Sequence, residues 1–208
     1  MSAATTDAAL QQGLERLAPA GVLIGHRLIA VGDEAALTPE EAASISSLPE
    51  RRRASGAARI VARQLMQRLG CAATPLPRHS SGMPLWPAGL VGSLAHDDNA
   101  AVAAVARSQD SAGVGVDVEP ALPLPDDMRD LVLSERERGR LGGDLIAAHV
   151  VFAAKEAVYK AVYPLDRVFL EFGDIDVDLA AGTAVTRSGR RLSLRHCVAS
   201  HIVALALA

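Results

Sequence analysis

Two acidic residues at a spacing of two are the first feature of this 208-residue chain that could do chemistry. Asp117 and Glu119 occupy positions i and i+2 of a predicted strand, so both side chains project from one face. Adjacent carboxylates repel each other unless a cation, a shared proton or an arginine intervenes, and Mg²⁺ accepts such oxygen ligands. The alternative is a strand end that emerges into solvent, and the spacing alone favours that alternative.

A second pattern lies in a predicted helix, where Glu156 and Lys160 are i, i+4 neighbours and Lys155 precedes the acid. The acid could complete a metal site while the lysines neutralise phosphate oxygens. A surface ion pair contributing about 0.3–0.5 kcal/mol is the alternative, and the pattern alone favours it.

Further groups could bind an anion. His96 follows Gly92-Ser93-Leu94-Ala95, a predicted chain reversal whose backbone N–H groups could face a phosphate, although a lone histidine is usually structural or solvated. A predicted helix over 49–69 has a basic face, formed by Arg51, Arg52, Arg53, Arg59 and Arg63. Arginine matches phosphate oxygens in a bidentate manner, and the alternative is a solvated charged face.

The pattern of elements predicts an α/β fold that must position these groups. Thr38-Pro39-Glu40-Glu41 and Ser134-Glu135-Arg136-Glu137 predict helix starts, and 147–162 predicts a helix ended by Pro164. Strands are predicted over 100–106, over 113–119 and from about Arg191 onward. The Ala-rich residues before Gly21 are expected to be loosely ordered, and 74–92 to form a loop.

Composition limits the possible classes of protein. Half of the residues are hydrophobic and the net charge is −3, which excludes a disordered chain and general affinity for nucleic acid or anionic membrane. No apolar run reaches the roughly 18 residues that span a bilayer, and no signal peptide is predicted. Cys71 and Cys197 are far apart, which predicts a reducing compartment and a cytoplasmic protein. The motifs GxxxxGK[ST], GxSxG and HExxH are absent.

Taken together and in order, four blocks resemble the 4′-phosphopantetheinyl transferases of the enterobactin and surfactin type. They are the arginine-rich helix with ARIVAR, Trp86–His96 (WPAGLVGSLAH), Gly113–Glu119 (GVGVDVE) and Phe152–Ala161 (FAAKEAVYKA). The resemblance covers roughly residues 50–172. It implies two similar α/β halves, 1–110 and 111–208, related by pseudo-twofold symmetry, with the active site in the cleft between them and a monomer as the default.

The resemblance also implies an activity. Such enzymes move the phosphopantetheine arm of coenzyme A onto a serine of an acyl or peptidyl carrier protein, in fatty-acid, polyketide or nonribosomal peptide synthesis, and leave adenosine 3′,5′-bisphosphate. By position, Asp117, Glu119 and Glu156 would hold Mg²⁺, or Mn²⁺ in its place, with the Val118 carbonyl or a water nearby. Either Glu156 or a metal-bound water would accept the serine proton. The residues implied at the nucleotide and its phosphates are Arg51, Arg59, Arg78, His79, Ser80, Ser81, Ala95, His96 and Lys160, and Leu170 would line the pantetheine side.

Two other functions stay open at this point. One is a catalytically weak module that binds coenzyme A or a carrier protein, since Ala95 replaces a hydroxyl residue common in related loops and Asp97 and Asp98 follow His96. The other is a nucleic-acid-binding protein that uses the arginine helix, which the negative net charge and the 3% aromatic content disfavour.

Overall fold

Two antiparallel sheets and six α-helices form the fold of residues 5–208, the part of the chain that the structure, a computed structural model, describes. The helices are α1 (Ala8–Leu17), α2 (Pro39–Ala43), α3 (Pro49–Arg68), α4 (Asp126–Val132), α5 (Glu135–Leu141) and α6 (Leu145–Asp166). The strands are β1 (Val22–Leu28), β2 (Leu90–His96), β3 (Ala100–Arg107), β4 (Val114–Pro120), β5 (Ile175–Asp178), β6 (Thr183–Thr186), β7 (Arg191–Val198) and β8 (His201–Leu207). The predicted α/β class is confirmed.

The first sheet has the strand order β1-β3-β2, and α3 covers one face of it. Before its last residue, the strand β3 contains only alanine and valine. Because these side chains are small, α3 can lie close to the strand. Ala103 and Val105 pack against Val61 and Leu65 of α3. The alternate residues of β3, such as Val102 and Ala104, point to the opposite face and into the core between the two sheets.

The second sheet has the order β4-β8-β7-β6-β5, and α6 packs on one face of β4 and β8. On the other face, Val116 and Leu205 join Val102 of the first sheet in a common apolar core. Burial of these aliphatic side chains holds the two sheets together, because apolar area removed from water is the main favourable term in packing. The pseudo-twofold relation and the division at residue 110 stay predictions.

The helix starts predicted at Thr38 and Ser134 are confirmed, and each of them is a capping box. The Thr38 hydroxyl accepts the backbone N–H of Glu41, and the Glu41 carboxylate accepts the N–H of Thr38 in return. Ser134 and Glu137 make the same reciprocal pair at the start of α5. Each pair satisfies two N–H groups that a helix start leaves without partners.

The expectation of loose order before Gly21 is wrong for residues 5–20. The side chain of Asp7 accepts the N–H of Leu10 and caps α1, whose Leu10, Leu14 and Leu17 are buried. The spacing of these leucines places them on one helical face, which packs on the β1, β7 and β8 strands. Residues 1–4 lie outside the described part of the chain.

Two further local expectations are corrected. Pro164 does not end α6, which continues to Asp166, because a proline in the last turn removes few intrahelical bonds; the helix ends at Arg167, which has a left-handed φ of 55°. The predicted chain reversal before His96 is instead strand β2, paired along its whole length with β3.

Among residues 5–208, no helix is both long enough and apolar enough to cross a membrane.

Candidate active site between the two halves

The strand β4 and the helix α6 lie so close together that only glycine fits between them. A Cβ atom on Gly113 would lie 2.5 Å from the carbonyl oxygen of Ala161, well inside any real contact. Because side chains alternate along a strand, the residues at positions 117 and 119 project toward α6 as well. The prediction that Asp117 and Glu119 share one face is confirmed, and that face lies against the helix that carries Glu156.

Asp117 is buried and bound to a lysine. The Nζ atom of Lys160 donates to Oδ1 of Asp117 at 2.6 Å and to the carbonyl oxygen of Val116 at 3.3 Å. The other carboxylate oxygen, Oδ2, is buried and has no hydrogen-bond partner. An unpaired buried carboxylate oxygen is costly, so it marks a position where a cation would be favoured.

Glu119 and Glu156, the two other acids, lie close enough to Asp117 to be affected by its negative charge. Burial, and then the charge of Asp117, raise the pKa of Glu119 to about 8. Burial also raises the pKa of Glu156, where Lys160 opposes the shift and Asp117 adds to it. The Nε2 atom of His149 lies 3.6 Å from Oε2 of Glu119. One ammonium group therefore does not offset all three acids when they are ionised, and Glu119 keeps its proton more readily as a result.

The donor set fits a hard divalent cation, since it consists of carboxylate oxygens, one of them without a partner. In residues 5–208, however, no three or more His, Cys, Asp or Glu side chains are already arranged as a metal-binding group. The chemistry of Asp117, Glu119 and Glu156 fits the ion, and their side chains would have to adjust to hold it.

A cavity of about 560 Å³ lies beside these acids, between the two halves of the chain. Among the residues predicted at the site, its lining includes Arg59, Arg78, Ser81, Ala95, His96, Glu156 and Lys160. The structure therefore brings together residues from α3, β2, α6 and the loop before β2. The cavity lies between the two halves of the chain, which explains why its lining residues come from distant parts of the sequence.

Several basic groups lie close together on the side of this cavity formed by the first sheet. Burial, followed by the charges of Arg78, Lys160 and Arg51, lowers the pKa of His96. Burial and the charge of Arg51 likewise lower the pKa of Arg78. Mutual repulsion among these four groups shows that they converge, and an anion placed between them would relieve that repulsion.

The expected basic face of α3 is corrected, because two of its arginines are used inside the protein. Arg59 is 1% exposed, and its guanidinium donates to the carbonyl oxygens of Leu76 and Ser55. Arg63 donates to the buried carboxylate of Glu41. Burial lowers the pKa of Arg59 to about 10. Arg59 borders the cavity, but most of its donors are already taken.

The segment 78–81 forms a tight turn at the cavity rim. All four residues are exposed; Arg78 and Ser81 line the cavity, and His79 and Ser80 do not. The Nδ1 atom of His79 accepts the backbone N–H of Ser81 and lies 2.9 Å from its Oγ. Binding roles for His79 and Ser80 stay predictions.

Three other predicted residues lie away from the cavity lining. The side chain of Val118 is buried in the core between the sheets, and Leu170 is buried in the core around α6. Arg51 is exposed at the start of α3 and acts on the site through its charge. The carbonyl of Val118 as a metal ligand and Leu170 beside pantetheine stay predictions.

The interpretation of Lys155 as a phosphate-neutralising group is wrong. Its Nζ atom donates to the Glu137 carboxylate at 2.7 Å and to the carbonyl oxygens of Val132 and Phe172, and its side chain is fully buried. Five residues along a helix turn a side chain by about 140°, so Lys155 and Lys160 point in different directions. Lys155 joins α6 to α4, α5 and the 3₁₀ turn Phe172–Asp174.

Asp97 is turned toward the β2–β3 connection. Its Oδ1 atom accepts the N–H groups of Asn99 and Ala100, both at 2.7 Å, and its Oδ2 lies 3.3 Å from Nε2 of His201. Asp98 is exposed. The acidic pair after His96 thus belongs mainly to a turn.

Aromatic residues of the cavity were not predicted. Tyr159 and Tyr163 line it one helical turn apart, with ring centroids separated by 5.4 Å, and Trp86 of the first half also lines it. The i, i+4 spacing of the tyrosines next to Lys160 was the signal in the sequence that could have identified them.

Comparison with known proteins agrees with this geometry. Residues 39–106 match the 4′-phosphopantetheinyl transferase N-terminal domain, and residues 113–206 match the 4′-phosphopantetheinyl transferase superfamily. The chain belongs to this superfamily. The family resemblance and the transferase class predicted from the sequence are confirmed.

Individual relatives cover most of the chain. The 4′-phosphopantetheinyl transferase Svp of Streptomyces mobaraensis is 39% identical over 75% of this chain and 70% of its own length. The 4′-phosphopantetheinyl transferase Npt of Nocardia iowensis is 35% identical over 85% of this chain and 82% of its own length. Enterobactin synthase component D of Salmonella typhimurium is 32% identical over 55% of this chain and 48% of its own length.

Proposed function

We propose that this protein transfers the 4′-phosphopantetheine group of coenzyme A to a serine of an acyl or peptidyl carrier protein. In this reaction the serine oxygen bonds to phosphorus, the pyrophosphate P–O bond breaks, and adenosine 3′,5′-bisphosphate leaves with the electron pair. The observation that carries the proposal is one cavity in which Arg78, His96 and Lys160 converge beside the acids Asp117, Glu119 and Glu156. Such an arrangement suits a substrate with several phosphates.

The side chains of the cavity would divide the substrate between them. Arg51, Arg78 and His96 would bind phosphate oxygens on the side of the first sheet. Lys160 would contact the pyrophosphate from α6. Asp117, Glu119 and Glu156 would hold Mg²⁺, or Mn²⁺ in its place, and the ion would supply positive charge to the pyrophosphate.

The serine hydroxyl requires a proton acceptor, because it is neutral at physiological pH. Glu156 lines the cavity, and burial raises its pKa. A carboxylate with a raised pKa is a stronger base than an ordinary one. We therefore assign proton acceptance to Glu156, with the positioning of both substrates supplying most of the remaining rate.

Intact-mass spectrometry tests this proposal. An apo carrier protein is incubated with the enzyme, coenzyme A and Mg²⁺, beside a sample with EDTA. A phosphopantetheine mass gain that EDTA abolishes is the expected result. Glu156→Gln and Asp117→Asn variants should lose the gain while retaining the circular dichroism spectrum of the parent. Absence of the gain with several carriers, although coenzyme A binds, would replace the proposal with a binding module.

The pathway and setting are also part of the proposal. The likeness to enterobactin synthase component D favours a carrier in siderophore or other secondary-metabolite synthesis. Both cysteines are free, which supports a reducing, cytoplasmic compartment. We propose a monomer, since both halves of the site come from one chain.

A further inference from the structure

Lys160 contacts a carboxylate oxygen of Asp117, the residue that a metal ion would also have to bind. Its ammonium group lies 2.6 Å from Oδ1 of Asp117, a distance typical of a strong charge-assisted hydrogen bond. The carboxylate itself is only 5% exposed, so water offers little compensation for its charge. Without another cation, Lys160 is the group that makes a buried Asp117 carboxylate tolerable.

Around the Lys160–Asp117 pair, acidic groups outnumber basic ones. Glu119 and Glu156 lie close enough for the Asp117 charge to raise the pKa of both, and Lys160 opposes both shifts. A single ammonium is thus the cation nearest to three acidic side chains. A divalent cation would balance more of this charge than Lys160 does, and it would also reach the unpartnered Oδ2 of Asp117.

Lys160 is less enclosed than Lys155, the other lysine of the chain. Its side chain is 29% exposed and lines the cavity, and its second contact, with the Val116 carbonyl, is long at 3.3 Å. Lys155 is fully buried and has three short contacts. Release of Lys160 from Asp117 would therefore bring its ammonium toward the phosphate-binding side of the cavity without disturbing the core.

We propose that Lys160 is the resident cation of Asp117 in the metal-free enzyme, and that divalent-ion binding displaces it into the cavity. This exchange rests on the proposed function, because it requires the metal site at Asp117. It links two events, since the lysine becomes available to substrate phosphates only when the ion has replaced it. In the metal-free enzyme, Lys160 and the metal are competitors for one carboxylate.

Mn²⁺ binding in the absence of coenzyme A tests the competition. Free Mn²⁺ is measured by electron paramagnetic resonance for the parent and for Lys160→Met, which keeps side-chain length but removes the charge. The exchange predicts that Lys160→Met binds Mn²⁺ about tenfold more tightly, because metal binding no longer breaks a charged hydrogen bond. Arg78→Gln is the matched control, since it removes a cation from the same cavity that does not contact Asp117. We expect it to change Mn²⁺ affinity by less than about threefold, since charges that are not in contact are partly screened.

A second measurement needs no variant. The chain contains two lysines, Lys155 and Lys160, so protein labelled with ¹³C,¹⁵N-lysine gives two side-chain ammonium environments. Titration with Mg²⁺ should shift the Lys160 signal and leave the Lys155 signal unchanged as an internal reference. This readout remains available even if Lys160→Met does not fold.

The outcomes separate this inference from the metal site itself. Equal or weaker Mn²⁺ binding by Lys160→Met, or a Lys160 signal unmoved by saturating Mg²⁺, would overturn the exchange and leave the metal site standing. Absence of Mn²⁺ binding to the parent and to Lys160→Met would overturn both the site and the exchange. Asp117→Asn identifies the site, because it should abolish Mn²⁺ binding in the parent background.

Discussion

The α-carbon of Gly115 lies directly against the carbonyl oxygen of Ala157, where an added Cβ would be 1.8 Å from that oxygen. The contact sets the distance between β4, which carries Asp117 and Glu119, and α6, which carries Glu156 and Lys160. No flexible side chain can move aside, because the neighbour is backbone. The spacing of the whole acidic site therefore depends on a residue that has no functional group.

Replacing Gly115 with alanine should separate β4 from α6. We expect a loss of unfolding free energy of at least about 1–3 kcal/mol, together with loss of transferase activity, because the acids move apart. Chemical denaturation and the carrier-protein assay measure the two effects. Gly139→Ala in α5 is the control, since nothing lies within 4 Å of its added Cβ; it should be neutral or stabilising by up to about 1 kcal/mol. Full activity in Gly115→Ala would refute this view of the packing.

The Lys155–Glu137 pair should act as a structural unit. Lys155→Met leaves the buried Glu137 carboxylate without its cation and is expected to cost about 3–5 kcal/mol of unfolding free energy. In a double-mutant cycle with Glu137→Gln, the second substitution should cost much less than it does alone, because the charge it removes is already unpaired. Additive losses in urea denaturation would show that the two side chains act independently.

Arg78 and Arg59 should differ although both line the cavity. Arg78→Gln removes a charge directed at substrate and should weaken coenzyme A binding by about tenfold or more, with little change in stability. Arg59→Gln removes donors to the Leu76 carbonyl and a charge 3.4 Å from buried Glu41, so it should mainly lower stability. Calorimetric titration with coenzyme A, beside thermal unfolding, separates the two. A stable Arg59→Gln with a large binding defect would instead place Arg59 on the nucleotide.

Coenzyme A binding should be accompanied by proton uptake at pH values between the lowered pKa of His96 in the free protein and its higher pKa in the complex. Burial and neighbouring cations lower the pKa of His96, so the free protein favours the neutral imidazole. A phosphate among these cations favours the charged form and raises that pKa, so a proton enters between the two values. Calorimetric titration in buffers of different ionisation enthalpy measures the uptake. His96→Gln should reduce it, and an unchanged value in that variant would assign the proton to another group.

Local features of the fold were predictable because their causes are local. The Thr38–Glu41 and Ser134–Glu137 boxes each lie within four residues, and both formed as the sequence indicated. The i, i+2 spacing of Asp117 and Glu119 determined that they share a face. The order of the four blocks was sufficient to indicate the family, which the comparisons confirmed.

The tertiary structure determined which residues the faces of α1 and α3 contact. Periodicity places Arg59 and Arg63 on α3, but only the burial of Glu41 beneath them makes them internal partners instead of solvent-facing charges. The leucines of α1 had the right spacing in an Ala-rich segment, and the sheet strands they cover gave the helix its stability.

Lys155 and Lys160 show most clearly which properties the sequence determines and which depend on the tertiary structure. The sequence placed Lys155 and Lys160 on one helix beside Glu156; their spacing did not distinguish their roles, and only the family resemblance assigned Lys160 to the phosphates. Packing turned Lys155 into the core against Glu137 and left Lys160 at the cavity against Asp117. The physical reason is that a sequence determines the angle between two side chains on a helix, whereas the residue each one meets depends on segments that fold against it from far along the chain.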